Sequence, residues 1–395
     1  MSNNNDKAAI EQEIYVGRGT ENYYDDYMDF INYVFGFNGN RDDFKKLLPK
    51  IYRPEDKPVE NSYIVAENGK LKAAIGAYDI LYNAFGEDIK IRGIGNVSVH
   101  PYARSKGYMK LLMNRAVEDM IADGVDMSEL GGRRQRYNYF SYDKLGRVYD
   151  LKFVNDNFRH TFGKERTSKF RIVKVSPEDK EILGEIAKLI SAQPYHPVRN
   201  EARLYDILVS WLNDVYAVLD GDGKFAGYCI YKSGRISEML LKDPADTVDF
   251  LISFYDGLRL SDISVSLPEY MPEYIRPLIR LCEGYSIGLA KSFSVFNYRK
   301  IIRIFMMLKN TYEPLPDGTF RMLIHGVAGD ERLELSVKNG EISVEPTDKE
   351  VDIELGHLDA MNFIFGSVAP ERNGYPAFVR CWLPLPIWLF GADGV

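Results

Sequence analysis

Apolar and polar positions divide the chain into segments of distinct periodicity. Residues 23–35 carry aromatic and acidic side chains at helical spacing, and the stretch from Arg53-Pro54 to Pro58 then breaks the chain. Residues 63–78 hold two runs of strand composition around Asn68-Gly69. Both turn residues tolerate positive φ, so this pattern predicts a hairpin. A further strand is predicted over 89–99, stopping before Pro101. The loop 102–107 leads into a helix predicted over 109–121, where Leu112, Ala116, Val117 and Met120 share one face and Gly124 stands ready to end it. Strand, glycine-containing loop and helix follow one another without a gap.

Residues 216–231 repeat the earlier hairpin: Tyr-x-Val, an acidic turn with glycine, Gly-Lys, an apolar residue, then a strand of small residues. Repetition at this scale predicts a duplicated unit. The copy is incomplete, because 236–244 lead into a helix-like segment with no basic glycine loop. From about Tyr298 the pattern changes: 301–308 read as an apolar helix or strand, and 319–325, 333–337 and 341–345 alternate as strands, the last pair turned by Asn339-Gly340. A short helix is predicted over 359–365. The final apolar run, 378–390, is punctuated by proline, and a tail of this kind is expected to pack inward against another domain.

Composition narrows the function classes. A chain of 395 residues, 45% hydrophobic and 27% charged, is long enough for two or three globular domains. With 50 Lys and Arg against 57 Asp and Glu the net charge is -7, which disfavours nucleic-acid binding by phosphate neutralisation. Cys229, Cys282 and Cys381 lie far apart and the five histidines are scattered, so neither a disulfide scaffold nor a metal site is expected. The amino terminus lacks the order of a signal peptide and no run approaches a membrane span of about 20 apolar residues. A cytoplasmic protein without membrane partners is the expectation. Its 27 tyrosines are numerous for this length.

The sharpest chemical signal is residues 97–112. Backbone N–H groups at a helix start attract anionic oxygen, Gly107 permits close approach, and Arg104 and Lys106 add positive charge. The spacing departs from both the P-loop and the Rossmann fingerprint, so a different pyrophosphate-bearing cofactor fits better. His100 could be a base but, standing just before Pro101, is expected to face the loop exterior; His196 reads as a structural loop residue, and Asp25, Asp26, Asp29, Glu118 and Asp119 as helix-surface charges.

The run Val97-Ser98-Val99-His100-Pro101-Tyr102-Ala103-Arg104-Ser105-Lys106-Gly107 resembles the acetyl-CoA loop of the GNAT superfamily of N-acyltransferases. Leu130-Gly131-Gly132-Arg133-Arg134-Gln135-Arg136-Tyr137-Asn138-Tyr139 resembles a segment of its enhanced-intracellular-survival (Eis-like) branch, whose members acetylate aminoglycosides and other amines. The resemblance implies an α+β chain: a GNAT domain over 1–160, a degenerate GNAT-like domain over 161–297, and a sterol-carrier-protein-like domain over 298–395. It also implies acetyl-CoA as co-substrate, a primary-amine acceptor such as an aminoglycoside or polyamine, and a homo-oligomer, hexameric in that branch. Acidic residues on the opening helix would favour a cationic acceptor.

By position, Val97, Ser98 and Val99 would lie along acetyl-CoA, and Ser105, Lys106, Gly107, Tyr108, Met109 and Lys110 would wrap its pyrophosphate with help from Arg104. Arg134 and Gln135 would make a further cofactor contact. Tyr139 matches the branch's general acid, with Tyr137 and Tyr142 close enough in sequence to compete, and the terminal carboxylate on Val395 matches its general base. The chemistry asks for both, since an alkyl amine with a pKa near 10.4 must lose a proton to attack and a departing thiolate gains from one. Two other readings remain open: a non-catalytic scaffold for CoA and an apolar ligand, and an acetyltransferase of protein lysines or amino termini.

Overall fold

The computed structural model describes residues 13–37, 39, 43–163 and 166–395. Strands β1 (Ile14–Arg18), β2 (Ser62–Glu67), β3 (Lys70–Ala84), β4 (Glu87–Val99), β5 (Met127–Leu130) and β6 (Asp143–Val154) come first. They are followed by β7 (Arg171–Lys174), β8 (Tyr195–Pro197), β9 (Asp214–Leu219), β10 (Phe225–Lys232), β11 (Arg235–Leu241), β12 (Asp262–Pro268) and β13 (Gly284–Val295). All join one 13-stranded sheet in the order β1-β2-β3-β4-β5-β13-β6-β12-β11-β10-β9-β7, with β8 added beside β3.

From the centre outward the same series occurs twice. β4 and β5 run parallel, as do β11 and β12, while the hairpins beyond them are antiparallel. This is the duplication read from the two hairpin sequences. The closing strands, however, are exchanged. β6 completes the second half against β12, and β13 returns to complete the first half against β5. β6 and β13 then pair antiparallel from Gly284↔Lys152 to Phe293↔Asp143 and seal the halves into one sheet. A division of the chain at 160 and 297 does not express this exchange.

In the first half both faces of the sheet are covered, so β2 is buried along its whole length. Alternation decides which residue meets which helix. Ile64 and Ala66 pack with Tyr27, Ile31 and Val34 of the helix Tyr24–Phe37. Tyr63 and Val65 pack on the other side with Leu112, Met113, Ala116 and Met120 of the helix Tyr108–Ala122. Asn68 (φ 49) and Gly69 (φ 75) turn the β2–β3 hairpin as their sequence predicts.

The last part of the chain forms a separate sheet of β14 (Gly318–Gly326), β15 (Gly329–Lys338), β16 (Glu341–Pro346) and β17 (Ile353–Gly356), ordered β16-β15-β14-β17. The ambiguous run 301–308 is part of the helix Tyr298–Tyr312, which buries Ile301, Ile304, Phe305 and Leu308 in a core shared with β14 to β16. The tail is inward, as its apolar pattern predicts: Leu383, Leu385, Ile387, Leu389 and Phe390 are buried in that core.

Candidate active site

The site begins where β4 and β5 part. Their last paired residues are Ile94 and Leu130, after which β5 ends and β4 runs on to Val99. β3 still holds the opposite edge, through Ala74↔Ser98 and Ala73↔Val99. On the β5 side, among the described residues, no strand pairs with 96–99. The open edge begins with a bulge: Gly76 opposes Gly95 while Ala74 opposes Ser98, so β4 carries one residue more than β3. Asn96 takes up the excess at φ 42. Its side chain fixes that conformation, accepting from the Gly76 N–H (2.9 Å) and donating to the hydroxyls of Tyr27 (2.6 Å) and Tyr52 (2.8 Å). Burial pushes both phenols up, so they stay protonated. Part of the tyrosine excess therefore supports the bulge.

Beyond β4, Pro101–Ala103 form a 3-10 turn, and Ser105 (φ 69) and Gly107 (φ 81) adopt left-handed conformations before the helix Tyr108–Ala122. Alternating handedness gathers consecutive N–H groups into an anion-binding concavity, and the helix start adds its unpaired donors. Lys106 Nζ (2.6 Å) and Tyr108 Oη both donate to Glu67, and these bonds hold the Glu67 carboxyl below its ordinary pKa. Arg104 lies 5.5 Å over the Phe37 ring and Lys110 Nζ 5.0 Å over the Tyr139 ring. Met109 packs against the core beneath the loop. This backbone and charge arrangement fits a pyrophosphate. His100 Nδ1 accepts from the Tyr102 N–H (3.3 Å) and its ring stacks on Tyr33, which makes it a support of the loop. His196, expected in a loop, lies in strand β8 opposite Asn83, because three extended residues suffice to pair with β3.

The three neighbouring tyrosines have different surroundings. Tyr137 is buried, and a Cβ on Gly132 would lie 2.4 Å from its ring. Tyr142 is buried and donates to Ser128 Oγ (2.7 Å). Burial pushes both hydroxyls up. Tyr139 is 63% exposed, at the end of the helix Arg134–Asn138 and on the side of Lys110. Arg134 Nη2 donates to Asp143 (2.8 Å), where Asn362 also donates (2.7 Å). Burial opposes the Asp143 charge, but these bonds and the Lys144 N–H hold the carboxyl at about 2. Arg134 thus pins its helix to β6, while Gln135 is exposed.

The tail reaches the same place. Asp393 pairs with Arg199 (2.8 Å) and accepts from Tyr82 Oη (2.7 Å). Lys50 Nζ donates to the carbonyls of Ala392 (2.6 Å) and Gly394 (2.8 Å), and Trp211 Nε1 also donates to Gly394 (3.1 Å). Burial brings the Lys50 amine down to about 7 against the pull of Asp393. The Val395 N–H donates to Glu129 (3.3 Å), which pairs with Lys291 (3.2 Å). The terminal residue lies directly on β4: a Cβ on Gly93 would be 2.5 Å from Val395 Cγ2, and one on Gly95 3.1 Å from the Val395 carboxyl carbon. These glycines flank Ile94, the last β4 residue paired with β5. In Gly95→Ala the carboxyl is therefore expected to be displaced, lowering turnover roughly tenfold or more with little loss of stability. Steady-state kinetics beside a thermal melt would check this, and unchanged kcat would refute the placement.

Val395 is a wall shared by two cavities. One, of about 370 Å³, includes Lys50, Asp56, Asp79, Arg199 and Arg203. The other, of about 380 Å³, includes Glu129, Leu130, Lys144, Trp211 and Lys291. In the first, Asp56 pairs with Arg203 and Asp79 with Arg92, so its charges are largely balanced. Asp25, Asp26 and Asp29 are exposed on the opening helix and line neither cavity. Sequence reading missed Asn96 with its tyrosines, Lys50, Trp211 and the Arg199 pairings, since none has a local pattern.

Residues 16–146 match the family described as acetyltransferase (GNAT) domain. This segment is a GNAT acetyltransferase domain. The GNAT domain contains the β4–β5 splay, the 100–107 loop and Tyr139, and its class is that of an acyltransferase. Acetyltransferases of this class use acetyl-CoA. Among functionally curated proteins, no sequence matches the chain. Three solved structures share the fold along almost its full length. They are a GCN5-related N-acetyltransferase from Kribbella flavida (17% identity, 96% of each chain covered, TM-score 0.65); a probable N-acyltransferase from Enterococcus faecalis V583 (15%, 95% of this chain and 96% of that one, 0.63); and Eis1 from Mycobacterium abscessus (13%, 96% and 98%, 0.62). The α+β fold is thereby borne out, and it is shared with Eis1 along nearly the whole chain. Among the described residues, no group of three or more His, Cys, Asp or Glu side chains could hold a metal, and no helix is long and apolar enough to cross a membrane.

Proposed function

We propose that the chain is an acetyl-CoA-dependent N-acetyltransferase that moves the acetyl group directly to a primary amine, with polycationic small molecules such as aminoglycosides or polyamines as its acceptors. The observation that carries this is the Val395 carboxyl resting over Gly95 beside the open edge of β4. Acetyl-CoA supplies the acyl group as an activated thioester. Backbone groups of Val97, Ser98 and Val99 would hold its arm and polarise the carbonyl oxygen; residues 105–110 with Arg104 would hold the pyrophosphate, and Arg134 and Gln135 would add an outer contact. The Val395 carboxylate accepts the proton of the attacking amine, directly or through water, and Tyr139 Oη gives its proton to the leaving sulfur. Tyr139 suits that role because the hydroxyls of Tyr137 and Tyr142 are packed away. The second half supplies Arg199 and Arg203 to the acceptor cavity, and the last unit delivers the tail.

Calorimetry with acetyl-CoA, followed by a thiol-release assay over small amines and lysine-bearing peptides, tests this reading. Acetyl-CoA binding, sequential kinetics and thiol release with small primary amines are expected. Tyr139→Phe is expected to lower kcat about 10²-fold or more without weakening acetyl-CoA. Binding with no thiol release from any amine would leave a non-catalytic scaffold, and ping-pong kinetics would refute direct transfer.

A further inference from the structure

Tyr139 is 63% exposed, so its place is set by the backbone on either side of it. That backbone is a tight turn. The Phe140 and Tyr142 N–H groups return to the Tyr137 carbonyl (2.9 and 3.1 Å), the Ser141 N–H returns to the Asn138 carbonyl (3.0 Å), and Asn138 Nδ2 donates to the Tyr142 carbonyl (2.7 Å). Ser141 closes the turn at φ 68, a left-handed conformation that disfavours a residue with a Cβ and persists where its surroundings hold it. Part of what holds it comes from far along the chain. Nε2 of His357, the first residue of the helix His357–Phe365, lies 3.0 Å from the Ser141 carbonyl. The imidazole is buried, and burial brings its pKa down to about 4, so the ring is neutral and carries one proton. A carbonyl only accepts, which puts that proton on Nε2, with Ser294 Oγ also near it at 3.2 Å. Nδ1 is then an acceptor and receives the hydroxyl of the fully buried Tyr298 (3.0 Å), which also lies 3.1 Å from the His357 carbonyl. Tautomer and ring orientation are thus fixed from the side away from Ser141. The same helix reaches Asp143 through Asn362 (2.7 Å), and Asp143 receives Arg134 (2.8 Å), so both ends of the segment 134–143 are attached to it.

We propose that His357 is a positioning residue for the proton donor: through its imidazole the last unit sets the turn that aims Tyr139 at the leaving sulfur. This rests on the reading of Tyr139 as the general acid. His357 lines neither cavity beside Val395, so its effect on turnover passes through the Ser141 carbonyl. Without the Nε2–H the Ser141 backbone is free to relax toward an ordinary φ, and the turn carries Tyr139 with it. A displacement of about 1 Å is enough to slow a step that depends on alignment by a large factor. The last unit then supports both proton-transfer groups, the base by its tail and the acid by this helix.

A double-mutant cycle on the full chain tests this, with kcat read as thiol release from acetyl-CoA over the small-amine panel, spermidine included. His357→Ala is expected to lower kcat about tenfold or more while acetyl-CoA affinity, by calorimetry, stays within about twofold. His357→Gln, whose side-chain amide can donate to the same carbonyl, should keep most of the rate. In the Tyr139→Phe background His357→Ala should change kcat by less than about twofold, because a donor that is absent cannot be misplaced. Tyr298→Phe, which frees the ring without emptying its site, should show a smaller loss that also vanishes in that background, and it carries the cycle if His357→Ala does not fold. A slow Tyr139→Phe variant in which either substitution still lowers kcat by its full factor would overturn the proposal and leave the acid reading standing, as would wild-type kcat in both His357→Ala and Tyr298→Phe. Wild-type kcat in Tyr139→Phe, or no thiol release by the parent chain, would overturn that reading and the proposal with it.

Discussion

Deletion of Val395 is expected to lower kcat for amine acetylation by about 10²- to 10⁴-fold, the usual contribution of a positioned base, while acetyl-CoA affinity changes less than about twofold. The change is minimal by design. Asp393 keeps its pairing with Arg199, so the tail stays docked. The new terminal carboxyl falls on Gly394, whose carbonyl already receives Lys50 and Trp211, one residue short of Gly95. One residue of extended chain is about 3.3 Å, enough to remove the carboxylate from hydrogen-bond reach of an amine that the full chain could serve. Added formate should restore part of the rate in the deleted chain and none in the full one. Wild-type turnover after the deletion would eliminate the terminal carboxylate as base and leave the cofactor loop untouched.

Arg199→Met should cost stability on the order of 3–5 kcal/mol, measured by urea denaturation at neutral pH. Arg199 is buried and forks onto two carboxylates, Glu238 at 2.7 and 2.9 Å and Asp393 at 2.8 and 3.0 Å, which accept further bonds from Tyr228 and Tyr82. Removing the guanidinium alone strands two negative charges in the interior, with Lys50 as the nearby cation. Neutralising all three, in Arg199→Met/Glu238→Gln/Asp393→Asn, should recover most of the loss because the uncompensated charge is gone. A single variant within about 1 kcal/mol of wild type would show that the network is not what holds the tail's last turn to the second half.

What the sequence reveals here follows the distance over which a pattern is written. Asn68-Gly69, the helix face from Leu112 to Met120 and the inward tail are local signals, and each appears where its period places it. The 100–107 loop is legible for the same reason, since its strand, its positive-φ residues and its helix start are contiguous. The exchange of β6 and β13 is not, because alternation along a strand fixes its faces and says nothing of its neighbours. Lys50 meets Gly394 across 344 positions and Tyr82 meets Asp393 across 311, so no window of sequence contains either pair. His196 shows the opposite failure, a strand too short and too proline-flanked to be distinguished from a loop until β3 is beside it.

The exchanged strands also impose an order on biosynthesis. When the ribosome has released the GNAT domain's own residues, the sheet still ends at the bare edge of β5, and it stays so until β13 emerges far downstream. An open edge of this kind is sticky, and a nascent chain has to be shielded meanwhile. The residues of the 100–107 loop are thus made long before the strand that closes the edge beside them.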